Sequence, residues 1–181
     1  MKKIILIFSV IVLTFVFISS CKKSGTSDNR QKDSGEIGQY LGDFIKSFVG
    51  TDSKGNTFSL DKFKGKVILL NISAMWCGPC RSEASELMDI YNTYKSRGLE
   101  IVQCIYQDEE GKPTDISDLK RWVKEFNIDF TVLNDPDKSL VGFFTFSGIP
   151  FNVIVDRNFI IRYRGSGFDK GEVKSKIEKL L

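Results

Sequence analysis

The sequence has no histidine, and cysteine is scarce, with four residues in 181. A closed zinc site takes four ligands, most often histidine and cysteine side chains. Only one Cys-x-x-Cys pair is present, at Cys77 and Cys80, and no second pair completes such a set. We therefore expect no bound metal, and no cofactor other than a redox-active disulfide between these two cysteines.

Neither sign of charge is in large excess, and the basic residues form no stripe or run. The formal net charge is +3, and Lys2 and Lys3 lie in the first three residues. Electrostatic attraction to nucleic acid needs a concentrated positive surface, so we expect no nucleic-acid partner. The chain also has no internal repeat, and the roughly 140 residues from Gln39 onward have the size of one ordinary domain.

A long apolar run lies at the N-terminus, where Lys2 and Lys3 precede residues 4–18. The run is shorter than the roughly 20 residues that a membrane-spanning helix needs, and it ends in two serines directly before Cys21. This layout predicts a secretory signal peptide at residues 1–20. The alternative is an uncleaved anchor, which also places the rest of the chain outside the cytoplasm.

The residues at the end of this run, Ile18-Ser19-Ser20-Cys21, resemble a bacterial lipobox. The resemblance implies that Cys21 is lipidated and becomes the first residue of a lipoprotein. Residues 21–38 are rich in Ser, Gly, Lys and Asp, which predicts a lipid-attached flexible linker spanning about 25 Å. We therefore expect a domain at 39–181 that is anchored to a membrane of the cell envelope and faces the periplasm or the exterior.

Strand-like and helix-like segments alternate through this domain. Short apolar, β-branched runs predict strands, whereas apolar residues at spacings of three and four predict helices. Strands are predicted at 67–72, 99–106, 130–133, 151–155 and 159–163, and helices at 80–96, 116–126, 137–146 and 172–181. Alternation of this kind predicts an α/β sandwich with a mixed sheet.

The most informative motif is Trp76-Cys77-Gly78-Pro79-Cys80, between the first of these strands and the first helix. A cysteine in the first turn of a helix faces unpaired N–H groups and the positive end of the helix dipole, which favour the thiolate. Cys77 is therefore predicted to attack, and Cys80 to resolve the mixed disulfide. Pro79 suits a first-turn position, and Trp76 is predicted to shield the pair and to face substrate. A purely structural disulfide is disfavoured, because closing so small a loop removes little entropy from the unfolded chain.

From about residue 40 to residue 181 the sequence resembles the thioredoxin superfamily, and more narrowly its membrane-anchored TlpA/ResA-like thiol–disulfide oxidoreductases. The resemblance rests on five features: residues 61–66, Asn71, residues 76–83, Gly148-Ile149-Pro150, and Val155-Asp156-Arg157. It implies a thioredoxin-like sandwich, in which helices flank a mixed central sheet. It also implies that 115–133 carries the inserted helix and strand of TlpA-like proteins.

The resemblance further implies roles outside the motif. In this superfamily the proline of the Gly-x-Pro segment is cis and lies against the disulfide, so Pro150 is its counterpart and Ile149 is expected to present backbone groups to an extended substrate. TlpA/ResA-like proteins carry a glutamate three residues after the second cysteine, and Glu83 fills that place. Residues i and i+3 share a helix face, so Glu83 is expected to take the proton of Cys80. The alternative is an exposed helix glutamate. The expected substrate-binding residues are Trp76, Gly78, Pro79, Ile149 and Pro150.

The function implied by the resemblance is a cell-envelope oxidoreductase that reduces disulfides of exported proteins. Its substrates are expected among cysteine-containing envelope proteins such as apocytochrome c, with electrons drawn from a membrane donor. One alternative is a thiol-dependent, peroxiredoxin-like peroxidase, although residues 74–77 lack the Thr-x-x-Cys context of those enzymes. The other is a non-catalytic thioredoxin-fold binding lipoprotein, against which the presence of both cysteines argues.

Two further features have simpler interpretations. Cys104 lies inside an apolar strand, which predicts a buried free thiol and no third redox centre. The aromatic residues Phe143, Phe144 and Phe146 are interpreted as core, because dense apolar residues are more often buried than part of a site. The alternative is that they extend the substrate surface near Pro150.

Overall fold

The computed structural model describes residues 33–181, and the structural statements below refer to this part of the chain. The strands are β1 (Val49–Thr51), β2 (Thr57–Ser59), β3 (Val67–Ser73), β4 (Leu99–Ile105), β5 (Thr131–Leu133), β6 (Phe151–Val155) and β7 (Ile161–Ser166). The α-helices are α1 (Gly78–Tyr94), α2 (Ile116–Glu125) and α3 (Lys170–Glu178), and short 3₁₀ helices span Leu60–Phe63 and Lys95–Arg97.

β1 and β2 form a small antiparallel sheet, and the other five strands form the central sheet in the order β5-β4-β3-β6-β7. β4 is parallel to both β3 and β5, whereas β6 is antiparallel to both β3 and β7. β3 lies at the centre and is buried along its whole length. The predicted α/β architecture with a mixed central sheet is confirmed.

Side chains of β3 alternate between the two faces of the central sheet, and each face has its own hydrophobic core. One core contains Val67 and Leu69 together with residues from α1, α2 and α3, among them Leu87, Trp122 and Ile177. The other contains Ile68, Leu70 and Ile72 together with Phe48, Phe58, Leu140 and Phe144. All three helices therefore pack on one face, and the opposite face is covered by the small sheet and by the turns before β6.

The helix and strand expected at 115–133 are present as α2 and β5. Asp115 caps α2, because its carboxylate accepts hydrogen bonds from the N–H groups of Ser117 and Asp118. The Asp118 side chain accepts one from the Asp115 N–H in return, which completes a capping box. β5 adds to the edge of the sheet beside β4.

The prediction of a helix at 137–146 is wrong, because this segment forms a series of turns. The buried carboxylate of Asp135 accepts hydrogen bonds from the backbone N–H groups of Leu140 and Val141. Those N–H groups are thereby removed from a helical pattern, and Lys138 adopts a left-handed φ of 58°. Side chains that bond to nearby backbone in this way compete with helix formation.

The predicted signal peptide, Cys21 and most of the predicted linker lie outside the described residues. The final part of that linker, residues 33–38, contacts the domain: Asp33 forms an ion pair with Arg162, and the N–H of Ser34 donates to the carbonyl of Gly42 at 2.9 Å. Within residues 33–181, no helix combines the length and the apolar character needed to cross a membrane.

Candidate active site

The Cys77–Cys80 pair lies where β3 leads into α1, and the two residues form a disulfide. Cys77 is the N-cap of α1, and its Sγ accepts a hydrogen bond from the N–H of Cys80 at 3.2 Å. Pro79 stands in the first helical turn, where its missing N–H leaves no carbonyl unpaired. Both the N–H donor and the positive end of the helix dipole stabilise negative charge on the Cys77 sulfur once the disulfide is reduced.

The two cysteines differ in their access to solvent. A cavity of about 450 Å³ opens beside the disulfide, and its lining residues are Trp76, Cys77, Gly78, Pro79, Tyr106, Phe146, Ser147, Gly148 and Ile149. Cys80 is absent from this lining and is fully buried, whereas Cys77 retains 3% of its surface. An incoming disulfide therefore reaches Cys77 first.

The Ile149–Pro150 peptide bond is cis and lies beside the disulfide. The carbonyl oxygen of Ile149 is 3.8 Å from the Sγ of Cys77, and the carbonyl oxygen of Pro150 accepts a hydrogen bond from the N–H of Gly167 at 2.7 Å. The loop between the turns and β6 is thus attached to the end of β7. Of the five expected substrate-binding residues, four line the cavity, and Pro150 is buried directly after Ile149.

Glu83 is buried on α1, one helical turn after Cys80, and retains only 2% of its surface. Its Oε1 accepts a hydrogen bond from the side-chain amide of Asn71 at 3.1 Å, whereas its Oε2 is buried without a hydrogen-bond partner. Burial raises the pKa of Glu83 to about 8, although the amides of Asn152 and Asn71 favour the carboxylate and oppose the shift. A carboxyl group with a pKa near neutrality can both accept and release a proton under ordinary conditions.

Trp76 is half exposed at the rim of the cavity. Its indole Nε1–H donates to the Gln107 side chain at 3.0 Å, and the Gln107 amide donates to the carbonyl of Gly111 at 2.8 Å. These bonds hold the ring at the cavity mouth. A large, partly exposed aromatic surface in this position suits contact with a protein substrate.

Two residues that line the cavity were not among the site residues expected from the sequence. Tyr106, directly after β4, and Phe146, two residues before Gly148, both line the cavity. Phe146 therefore fits the alternative of a surface near Pro150 as well as packing against the second core, whereas Phe144 is buried in that core as expected. The proximity of Phe146 to the Gly-x-Pro segment was the available signal.

Cys104 is a fully buried free cysteine, as predicted. Burial raises the pKa of its thiol well above the usual value, and Asp135 adds to this shift. A protonated, inaccessible thiol is a poor nucleophile. Within residues 33–181, no cluster of three or more His, Cys, Asp or Glu side chains has a metal-binding arrangement.

A disulfide at the start of a helix that packs on the central sheet, open through one sulfur to a cavity beside a cis proline, defines a thiol–disulfide oxidoreductase. The chain matches the AhpC/TSA family over residues 41–164 and belongs to that family. It is 30% identical over 158 residues to the thiol-disulfide oxidoreductase ResA of Bacillus thuringiensis subsp. konkukian, covering 87% of this chain and 86% of that protein. The ResA of Bacillus anthracis is 29% identical over 160 residues, with the same coverage.

Solved structures show the same fold. The thioredoxin domain of a thiol-disulfide oxidoreductase from Bacteroides vulgatus is similar with a TM-score of 0.67 at 24% identity, over 77% of this chain and 96% of that one. A thiol:disulfide interchange protein of the thioredoxin family from Chlorobium tepidum has a TM-score of 0.63 at 21% identity, over 81% and 99% of the two chains. The predicted thioredoxin-like fold is confirmed.

Proposed function

We propose that this oxidoreductase works in the cell envelope as a reductase of protein disulfides, with Cys77 as the attacking and Cys80 as the resolving cysteine. The observation that carries this assignment is the asymmetry of the pair. Cys77 lines the cavity, and its Sγ accepts a hydrogen bond from a backbone N–H at the start of α1. Cys80, in contrast, is fully buried one turn before Glu83.

The reaction begins with the reduced dithiol. The Cys77 thiolate attacks one sulfur of a substrate disulfide, forms a mixed disulfide, and displaces the other substrate sulfur as a thiolate. Cys80 then loses its proton and attacks the Cys77 sulfur, which releases the second substrate thiolate. Two electrons pass to the substrate, and the enzyme is left with the Cys77–Cys80 disulfide.

Glu83 is the base in the second step. The carboxylate takes the proton of Cys80 as that thiol becomes a nucleophile, and the protonated acid later returns it to solvent or to the leaving thiolate. The buried Oε2 supports this role, because it has no other hydrogen-bond partner. The pKa of about 8 leaves a minor but accessible carboxylate population at neutral pH.

The cavity suits an extended, cysteine-containing segment of a protein. Ile149 supplies backbone groups beside the disulfide, and pairing with an extended strand would satisfy them. Trp76, Tyr106 and Phe146 make the surrounding surface largely aromatic, which favours an apolar side chain next to the substrate cysteine.

The proposed cellular setting rests on the resemblance of the N-terminal residues to a lipoprotein signal. Lipid on Cys21 holds the domain near the membrane, and a membrane donor returns the active-site disulfide to the dithiol. Cysteine-containing envelope proteins, with apocytochrome c as one example, are the proposed substrates. The Gly-Pro pair between the cysteines is that of thioredoxin, a reductant of about −270 mV.

A trapping experiment tests the assignment of the two cysteines. Cys80→Ser should accumulate mixed disulfides between Cys77 and envelope proteins, visible as reducible bands on a gel, whereas Cys77→Ser should accumulate none. Equal trapping by both variants would contradict the assignment. Fast peroxide consumption by the reduced wild type, with no protein adducts in Cys80→Ser, would instead support the peroxidase alternative.

Fractionation tests the anchor. Cys21→Ala should remove the lipid and release the protein from the membrane fraction, with disulfide reductase activity unchanged in detergent extracts. Retention of Cys21→Ala in the membrane would point to an uncleaved N-terminal anchor.

A further inference from the structure

Three buried amide side chains form a row across the centre of the sheet. Asn71 of β3 is in register with Gln103 of β4 on one side and with Asn152 of β6 on the other. All three are fully buried on the face that α1 covers, beside an apolar core in which Ser73 and Glu83 are the other buried polar residues in contact with the row. Burying an amide is unfavourable unless its hydrogen bonds are made. Three buried amides are therefore stable here only if each finds partners for its oxygen and its nitrogen.

The hydrogen bonds along the row are continuous, and the groups at its two ends determine which atom of each amide donates and which accepts. The indole Nε1–H of Trp122 donates to Gln103 Oε1 at 2.8 Å, and Gln103 Nε2 then donates to Asn71 Oδ1 at 2.9 Å. At the other end, Asn152 Nδ2 donates to the carbonyl of Gly167 at 3.1 Å, which leaves Asn152 Oδ1 to accept from Asn71 Nδ2 at 3.0 Å. An indole can only donate and a backbone carbonyl can only accept, so neither outer amide can be reversed without losing a bond.

Asn71 is thereby held in one orientation. Its oxygen accepts from Gln103 and also from the Ser73 hydroxyl at 2.6 Å, and its nitrogen donates to Asn152 and to Glu83 Oε1. All four hydrogen-bonding positions of the amide are occupied. The Glu83 carboxyl therefore always meets an N–H donor, and its Oε2 remains free.

We infer that Asn71, oriented by Trp122 through Gln103, is a positioning residue that presents Glu83 to Cys80 as a proton acceptor. This inference rests on the proposed role of Glu83. It links the inserted helix α2, which carries Trp122, to the chemistry of α1. In a low-dielectric interior, hydrogen bonds in a chain polarise one another. A change of charge on Glu83 should therefore alter the polarisation of the Trp122 indole N–H.

Other charged and titratable groups surround Glu83. Glu86 lies on α1, the same helix as Glu83, and the Glu86 carboxylate also raises the pKa of Glu83. Tyr163 faces it from β7 with a pKa already above its usual value, and Lys170 of α3 pairs with Glu86 at 3.6 Å. At the other end of the row, Arg81 lies over the Trp122 ring at 5.7 Å. Because the pKa of Lys170 is raised above its usual value by Asp89, a transition near pH 8 that disappears in Glu83→Gln reports Glu83.

The wild-type protein allows a direct test, since the full chain has only two indoles. In the detergent-solubilised full chain with its disulfide intact, the indole N–H signal of Trp122 should shift between pH 5 and pH 10. Its midpoint should match that of the Glu83 carboxyl carbon in NMR spectra. The shift should vanish in Glu83→Gln and in Gln103→Leu. A Trp122 signal that does not follow the Glu83 titration would overturn the inference.

Two variants measure the consequence for the carboxyl group. Asn71→Leu should raise the pKa of Glu83 by at least about one unit, which lowers the carboxylate fraction at pH 7 about tenfold. Gln103→Leu should raise it by a smaller amount. The rate of mixed-disulfide resolution should fall by the same factors at pH 7 and recover towards the wild-type rate near pH 10.

A control separates positioning from packing. Leu119→Ala removes a buried side chain from α2 in the same core as Trp122, and it should destabilise the fold without moving the pKa of Glu83. A loss of rate in Asn71→Leu that is the same at every pH, or an unchanged Glu83 pKa, would reduce the row to a structural role. A different pair of results separates the two proposals. If Glu83→Gln resolves mixed disulfides at the wild-type rate, the proposed role of Glu83 as the base is wrong. If Asn71→Leu nevertheless shifts the pKa of Glu83, the effect of the hydrogen-bonded row on that carboxyl group is retained.

Discussion

Replacement of Glu83 by glutamine should make the stability of the oxidised protein less dependent on pH. The pKa of this carboxyl group rises from 4.5 to about 8 on folding, chiefly because the group is buried. Between these two values the folded chain keeps a proton that the unfolded chain has lost. The free energy of unfolding therefore falls as the pH rises through this window, and it levels off above the folded-state pKa.

The magnitude follows from the width of that window. Each unit of pKa difference corresponds to about 1.4 kcal/mol, so the wild type should lose roughly 4 kcal/mol of stability through Glu83 between pH 5 and pH 9. A domain of this size is stable by about 5–15 kcal/mol, so the loss is a large fraction of the total. Glutamine keeps the shape of the acid and has no charge to bury, so Glu83→Gln should lack this contribution.

Urea unfolding of a fragment beginning at Lys22, followed by tryptophan fluorescence at intervals of one pH unit, measures the effect. The stability of Glu83→Gln relative to wild type should increase steadily from pH 5 to pH 8. Glu86→Gln, at a partly exposed position on the same helix, is the matched control and should change the pH dependence only slightly, because the Glu86 carboxylate is the smallest of the influences on the pKa of Glu83. A wild type and a Glu83→Gln variant whose stabilities run parallel across this range would refute the claim that Glu83 is buried with a raised pKa.

Three further outcomes are expected. Trp76→Ala should lower kcat/KM about tenfold for a protein disulfide and leave the rate with a small aromatic disulfide unchanged, because only a protein reaches across the cavity rim. Asp135→Ala should destabilise the domain by about 3 kcal/mol in urea unfolding, since it leaves the buried N–H of Leu140 and the part-buried N–H of Val141 without their acceptor; a loss below about 1 kcal/mol would contradict that role. Cys104 should react with iodoacetamide only in denaturant, and alkylation of the folded protein would show that it is not buried.

The sequence predicted most of the fold because periodicity and local signals agreed. The continuous apolar run of β3 and the capped, three-and-four spacing of α2 led to the observed elements. The helix prediction for residues 137–146 was wrong, because the apolar spacing of this segment reflects burial against the sheet and not helical geometry. Whether a carboxylate such as Asp135 bonds to backbone N–H groups five and six residues away depends on the folded turn itself, which periodicity does not encode.

The candidate site shows a similar division. The disulfide position could be predicted from a local motif, and Glu83 from its spacing on the helix and a family resemblance. The row of Gln103, Asn71 and Asn152 could not be predicted, because it depends on the register between three strands that are distant in sequence. The only signal in the sequence was that each of these polar residues lies within an apolar run. Without the strand register, the sequence did not show which of them form hydrogen bonds with one another.

The reduction potential of the Cys77–Cys80 couple tests the central claim most directly. The soluble fragment would be equilibrated with defined thiol buffers, and the fractions of dithiol and disulfide measured after alkylation. A potential near that of thioredoxin, about −270 mV, is expected for an envelope reductase supplied by a membrane donor. A value near the oxidising extreme of about −120 mV would contradict this direction and assign the protein to disulfide formation.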